Sequence, residues 1–123
     1  MKTLSTDAAA AALGVHKKSI DNILAREARH LLPAGTRGRS RRITIPALER
    51  ISIALILSRD VGITIARGLE VAEKILGAAS ARVELGPLTA IAFDVAKLRA
   101  ALELSIGDAL ESIAEPIRGR PRH

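Results

Sequence analysis

Lys17, Lys18 and Asn22 stand in a segment whose apolar residues Ile20, Ile23, Leu24, Ala28 and Leu31 recur with a helical period. On such a helix two ammonium groups and one amide project from the side opposite the apolar stripe. Lysine donates to the N7 and O6 acceptors of guanine, and an Asn amide pairs bidentately with adenine, so these three residue types together suit reading base edges. The plainer alternative is a solvated lysine pair on an ordinary helical hairpin. A second basic cluster follows: Arg37, Arg39, Arg41 and Arg42 fall within six residues. Four like charges so close repel one another less when they meet phosphates, so contact with a polyanion backbone or a narrow minor groove is favoured over a solvated loop. A third lies in the tail, where Arg118-Gly119-Arg120-Pro121 resembles an AT-hook core, the glycine letting the backbone sit deep in an A·T-rich minor groove between two arginines. A disordered solubilising tail fits these few residues equally well.

Other chemistries have little to work with. The 123 residues contain no cysteine, which removes disulfides, thiolate zinc sites and cysteine nucleophiles. His16, His30 and His123 are scattered, and there is no aspartate-rich loop, so neither a metal nor another cofactor is expected. Glu70, Glu73, Glu103, Asp108 and Glu111 are the candidate general acids or bases, but they are spaced as solvated helix faces are and no nucleophile accompanies them. No enzyme is expected. Phe93 is the single aromatic residue, which speaks against stacking on single-stranded nucleic acid. The longest charge-free runs reach about nine residues, half of the ~18 that a membrane span needs, so a soluble, cytoplasmic, nucleoid-associated protein without a membrane partner is expected.

Charge is unevenly distributed. Residues 1–50 carry ten Lys/Arg against four Asp/Glu, residues 51–117 six against nine, and the last six residues three arginines. Two basic ends therefore flank an acidic middle, the pattern of a polyanion-binding head and tail around a scaffold.

The elements that must position these groups follow from caps and periodicity. Ser5 and Asp7 open a first helix that Gly14 stops. A second runs from His16 to about His30, and two helices joined by so short a turn cross steeply. Leu31-Leu32-Pro33-Ala34 and Arg42-Ile43 are extended candidates around the arginines, a basic hairpin. Thr44 and Pro46 start a third helix to about Leu57 or Ser58, apolar almost all round and hence central. Thr64 caps a fourth, Ile65 to about Leu76, with an expected Glu70–Lys74 pair; Gly68 inside it costs ~1 kcal/mol relative to Ala, which implies close backbone packing. Arg82–Leu85 and Leu88–Phe93 read as strands about a Gly86-Pro87 turn. Asp94 caps a last helix, Val95 to about Ile117, with Phe93 and Leu98 as a hydrophobic staple.

From Thr6 to Leu24 the chain resembles the helix-turn-helix of bacterial and phage repressors: Ala10 is small where the helices touch, Gly14 reverses the chain, and Leu13, Val15, Ile20 and Ile23 lock the second helix onto the first. The longer order of helix, glycine turn, helix, Leu-Leu-Pro, Gly/Arg hairpin, Arg41-Arg42-Ile43 and Leu57-Ser58-Arg59-Asp60-Val61-Gly62-Ile63-Thr64-Ile65 resembles the winged-helix domain of the MerR superfamily, including its excisionase and BldC-like members, over about residues 3–76. The resemblance implies a mainly α, winged helix-turn-helix fold with a small β wing, followed here by a β-hairpin and a C-terminal helix. It also implies double-stranded DNA as partner: Lys17, Lys18 and Asn22 at base edges, and His16, Ser19, Arg37, Arg39, Arg41 and Arg42 at the backbone or minor groove, with Arg118 and Arg120 as further minor-groove candidates from the tail. Two features depart from the family. The recognition-helix Arg-Tyr-Tyr patch is Asp21-Asn22-Ile23 here, so its contacts do not carry over, and the dimerising coiled coil is replaced by residues 81–117.

Residues 1–76 are thus expected as the DNA-binding domain, 81–117 as a dimerisation region and 118–123 as a basic tail. The dimer face would be Leu98, Leu102, Ile106, Leu110 and Ile113 on the last helix, unless that helix folds back on its own domain. A homodimeric regulator of transcription is the leading expectation; an architectural protein of excisionase or phage-packaging type, or a protein–protein adaptor on the same fold, is the alternative. The sequence leaves the existence of a small-molecule effector undecided.

Overall fold

The computed structural model describes residues 3–27, 42–77 and 82–119, the side chains of 112–119 aside. They form β1 (Thr3–Ser5), α1 (Thr6–Leu13), α2 (Lys17–Arg26), β2 (Arg42–Thr44), α3 (Ile45–Asp60), α4 (Ile65–Gly77), β3 (Arg82–Gly86), β4 (Thr89–Ala92) and α5 (Val95–Gly119). The fold is mainly helical with two small antiparallel sheets, β1–β2 and β3–β4.

Four helices start as their caps require. Ser5 Oγ accepts from the Ala8 N–H (3.1 Å), Thr44 Oγ1 from Ala47 (3.2 Å), Thr64 Oγ1 from Arg67 (3.1 Å) and Asp94 Oδ1 from Lys97 (2.9 Å). Each oxygen satisfies an orphan donor of the first turn. The Phe93 and Leu98 side chains pack against one hydrophobic cluster at the start of α5, as a staple does.

The core has two connected parts. One gathers Leu4, the α1 alanines, Ile20, Ile23 and Leu24 of α2, Ile43, Leu48 and Ile51, and it also contains Leu102, Ile106 and Ala109 of α5. The other is built from Ile53 and Leu57 of α3, Val71, Ala72 and Ile75 of α4, and Val83 of β3. α3 supplies both, which is why its apolar residues run almost all round. The segments expected as separate units, 1–76 and 81–117, therefore share both halves of the core. Where α3 and α4 meet, a Cβ on Gly68 would stand 3.0 Å from Ala54 Cα and 3.2 Å from its carbonyl oxygen, the close packing that a mid-helix glycine implied.

Two local expectations are corrected and one strand pairing is added. Arg42-Ile43, expected in a basic hairpin, belongs to β2, which pairs antiparallel with β1 in the register Thr3↔Thr44, Leu4↔Ile43 and Ser5↔Arg42. Buried Leu4 and Ile43 face each other across this ladder, and the pair fixes the start of α1 beside the start of α3. The other half of that hairpin, 31–34, lies outside the described residues. Glu70 pairs with Arg67 one turn before it (2.9 Å) and not with Lys74. Finally, α3 continues to Asp60, ending where Gly62 takes φ +84° and its N–H reaches the Leu57 and Ser58 carbonyls.

Candidate nucleic-acid interface

The α1–α2 turn sets the geometry. Gly14 has φ +70°, a conformation disfavoured for residues with a Cβ; its N–H donates to the Ala11 carbonyl (3.3 Å) and that of Val15 to Ala10 (3.0 Å). These are the two bonds of a Schellman ending, which closes α1 and redirects the chain within three residues. His16 then precedes α2 without a side-chain cap, its carbonyl accepting from Ser19 (3.0 Å).

Burial divides α2 cleanly. Ile20, Ile23 and Leu24 are buried against α1 and α3, while His16, Lys17, Lys18 and Asn22 are exposed and Ser19 and Asp21 half-buried. The three residues expected at base edges thus share the solvent side of one helix. Arg26 is also exposed and extends the Lys18–Asn22 row by another turn. Sequence reading missed it, although the four-residue spacing was there to be used. A groove between the end of α2 and α4 is lined by charges of both signs, Arg26 and Lys74 together with Glu27, Glu70 and Glu73.

Of the arginines at 37, 39, 41 and 42, Arg42 is exposed and its guanidinium donates from Nε to Thr3 Oγ1 (3.1 Å) and from a terminal nitrogen to the Thr3 carbonyl (3.3 Å), which holds it beside β1. Arg37, Arg39 and Arg41 lie outside the described residues, as does Arg120; Arg118 falls on the backbone of α5 beyond the described side chains.

The stripe expected as a dimer face is largely covered within the chain. Leu102 and Ile106 are buried in the cluster that includes the α1 alanines, Leu98 is half-buried, and Leu110 is 43% exposed; the Ile113 side chain is among those not described. A dimer built through Leu102 and Ile106 would require α5 to leave α1. That helix is further held by Arg99, which pairs with Glu49 of α3 through Nε (3.0 Å) and a terminal nitrogen (3.3 Å).

The carboxylates considered at the outset, Glu70, Glu73, Glu103, Asp108 and Glu111, are all exposed. Among the described residues no group of three or more His, Asp or Glu is placed to hold a metal ion, and no helix is long and apolar enough to cross a membrane. The chain matches no protein-family model, no curated protein and no solved structure.

Proposed function

We propose that the chain binds double-stranded DNA sequence-specifically through a helix-turn-helix formed by α1 and α2, within a MerR-like winged domain, and acts as a homodimeric regulator of transcription. The observation that carries this reading is the division of α2: one side buried by Ile20, Ile23 and Leu24, the other presenting Lys17, Lys18 and Asn22 to solvent behind a glycine-reversed turn. A helix so braced keeps its donors in fixed relative positions, which base reading requires and nonspecific adhesion does not. His16, Ser19 and the arginines of residues 37–42 are assigned to the phosphate backbone or minor groove, with the arginines of the tail as accessory contacts. Pairing enters because one such domain spans few base pairs, too few for a useful specificity ratio in a genome.

Selection of bound duplexes from a random library, with the full chain, tests the proposal directly. A recovered motif with two half-sites about 10 bp apart, or a multiple of that, supports the homodimeric reading. Recovery of no motif, with duplex affinity that salt does not change, rejects DNA binding.

A further inference from the structure

α5 is covered on one side only. Leu102, Ile106 and Ala109 are buried with the α1 alanines, while the opposite side, from Lys97 through Ala100, Leu104, Gly107 and Asp108 to Glu111, is exposed throughout. Leu104 stands at its middle and is 73% exposed, more than any other large apolar residue of a described helix. One turn on, Gly107 occupies a helix interior that alanine would favour. Its φ is not in the left-handed region, and a Cβ added there would have nothing within 4 Å, so neither reason that explains Gly14 and Gly68 applies to it.

Charge on this side is ordered as well. Lys97 lies seven residues before Leu104 and Glu111 seven after it, about 10.5 Å either way along the axis, with Asp108 between Leu104 and Glu111. None of these three charged side chains makes an ion pair among the described residues.

We propose that this face pairs with the same face of a second copy, the two α5 helices running antiparallel about a two-fold axis at Leu104. Charge selects the direction. In the antiparallel arrangement Lys97 of each copy meets Asp108 and Glu111 of the other, whereas parallel helices would set lysine against lysine and carboxylate against carboxylate. Leu104 then packs on Leu104 of the second copy at the axis, and Ala100 faces Gly107 on either side of it, where the absent Cβ lets the two backbones come close. This is the self-complementarity that a two-fold contact requires, residue i meeting j while j meets i. The pairing rests on the homodimeric part of the function proposed above, and places its interface on the side of α5 opposite the stripe read from the sequence. One helix face is a small interface, so the association is expected to be reversible.

Sedimentation velocity of the full chain, from micromolar to submillimolar concentration, reads the pairing, and circular dichroism reports whether each variant is folded. The wild type should form a reversible dimer. Leu104→Glu sets two carboxylates together at the axis and should raise the dissociation constant about tenfold or more while the chain stays folded. Lys97→Glu should weaken the dimer about three- to tenfold, and Lys97→Glu/Glu111→Lys should recover most of that loss. Leu110, at the accessible edge of the stripe, lies a third of a turn around the helix from Leu104, so Leu110→Glu tests a different seam. A dimer that persists in Leu104→Glu but is lost in Leu110→Glu, or a double variant no tighter than Lys97→Glu alone, overturns the inference and leaves the homodimer standing. A wild type that is monomeric throughout ends both, without touching duplex binding by α2.

Discussion

Lys18 and Asn22 lie one turn apart on the exposed side of α2, with Lys17 beside them, and none of the three is needed by the core. Substituting them therefore tests recognition with little change in folding. Under the proposed function, Lys17→Ala and Asn22→Ala are each expected to cost about 1–3 kcal/mol at the preferred duplex and to relax sequence preference, because each would remove a contact to a base edge. Fluorescence anisotropy on preferred and random duplexes checks this; equal losses on both would remove the base-reading role. Arg26→Ala should behave differently, weakening all duplexes alike and flattening the salt dependence by the equivalent of one phosphate, ~0.9 in log–log slope. These positions were legible in the sequence because apolar residues at 20, 23 and 24 leave only one side of α2 free.

Element boundaries were legible where a side chain supplies a missing hydrogen bond, which is why Ser5, Thr44, Thr64 and Asp94 marked their helices. β1 escaped because three residues give no period, and because Leu4 beside Ser5 reads as the approach to a helix. Gly68 was the informative case within an element. Replacing it by Ala gains about 1 kcal/mol in helix propensity, but the new methyl would press on the Ala54 backbone, which cannot rotate away. Gly68→Ala is thus expected to destabilise the fold by about 1–3 kcal/mol net, the cost of overpacking, seen as a lower urea midpoint at unchanged slope. The same substitution at Gly14 has open space around it and fails for another reason: φ +70° costs a residue with a Cβ about 1–2 kcal/mol. For the basic segment, Arg37, Arg39, Arg41 and Arg42 replaced together by Gln should weaken binding to every duplex and lower the salt slope by ~0.9 for each phosphate that these arginines neutralise. A slope that stays put would keep this segment off the DNA.

At the scale of the whole molecule the last helix is decisive. Its stripe announced that it needed cover without saying whose, and the cover is α1, whose run of buried alanines shows no amphipathic contrast and so gave no hint of a second packing face. Those small side chains let α5 lie close, and the Arg99–Glu49 pair ties it to α3, with the Glu49 side chain only 12% exposed. Leu102→Glu/Ile106→Glu should consequently act on folding rather than on association. Each change forfeits ~2–5 kcal/mol of apolar burial before the cost of a buried carboxylate is added, against a total stability of about 5–15 kcal/mol for a domain. Circular dichroism should show loss of the cooperative transition or a sharply lowered Tm. Pairing through the stripe itself must then be probed where it remains accessible, at Leu110, 43% exposed. If two copies meet along the outer end of α5, light scattering should give a dimer for the wild type and a folded monomer for Leu110→Glu, with duplex affinity reduced for two half-sites and unchanged for one. A wild type that is monomeric at micromolar concentration, both free and on selected duplex, would end the homodimeric proposal while leaving the reading of α2 intact.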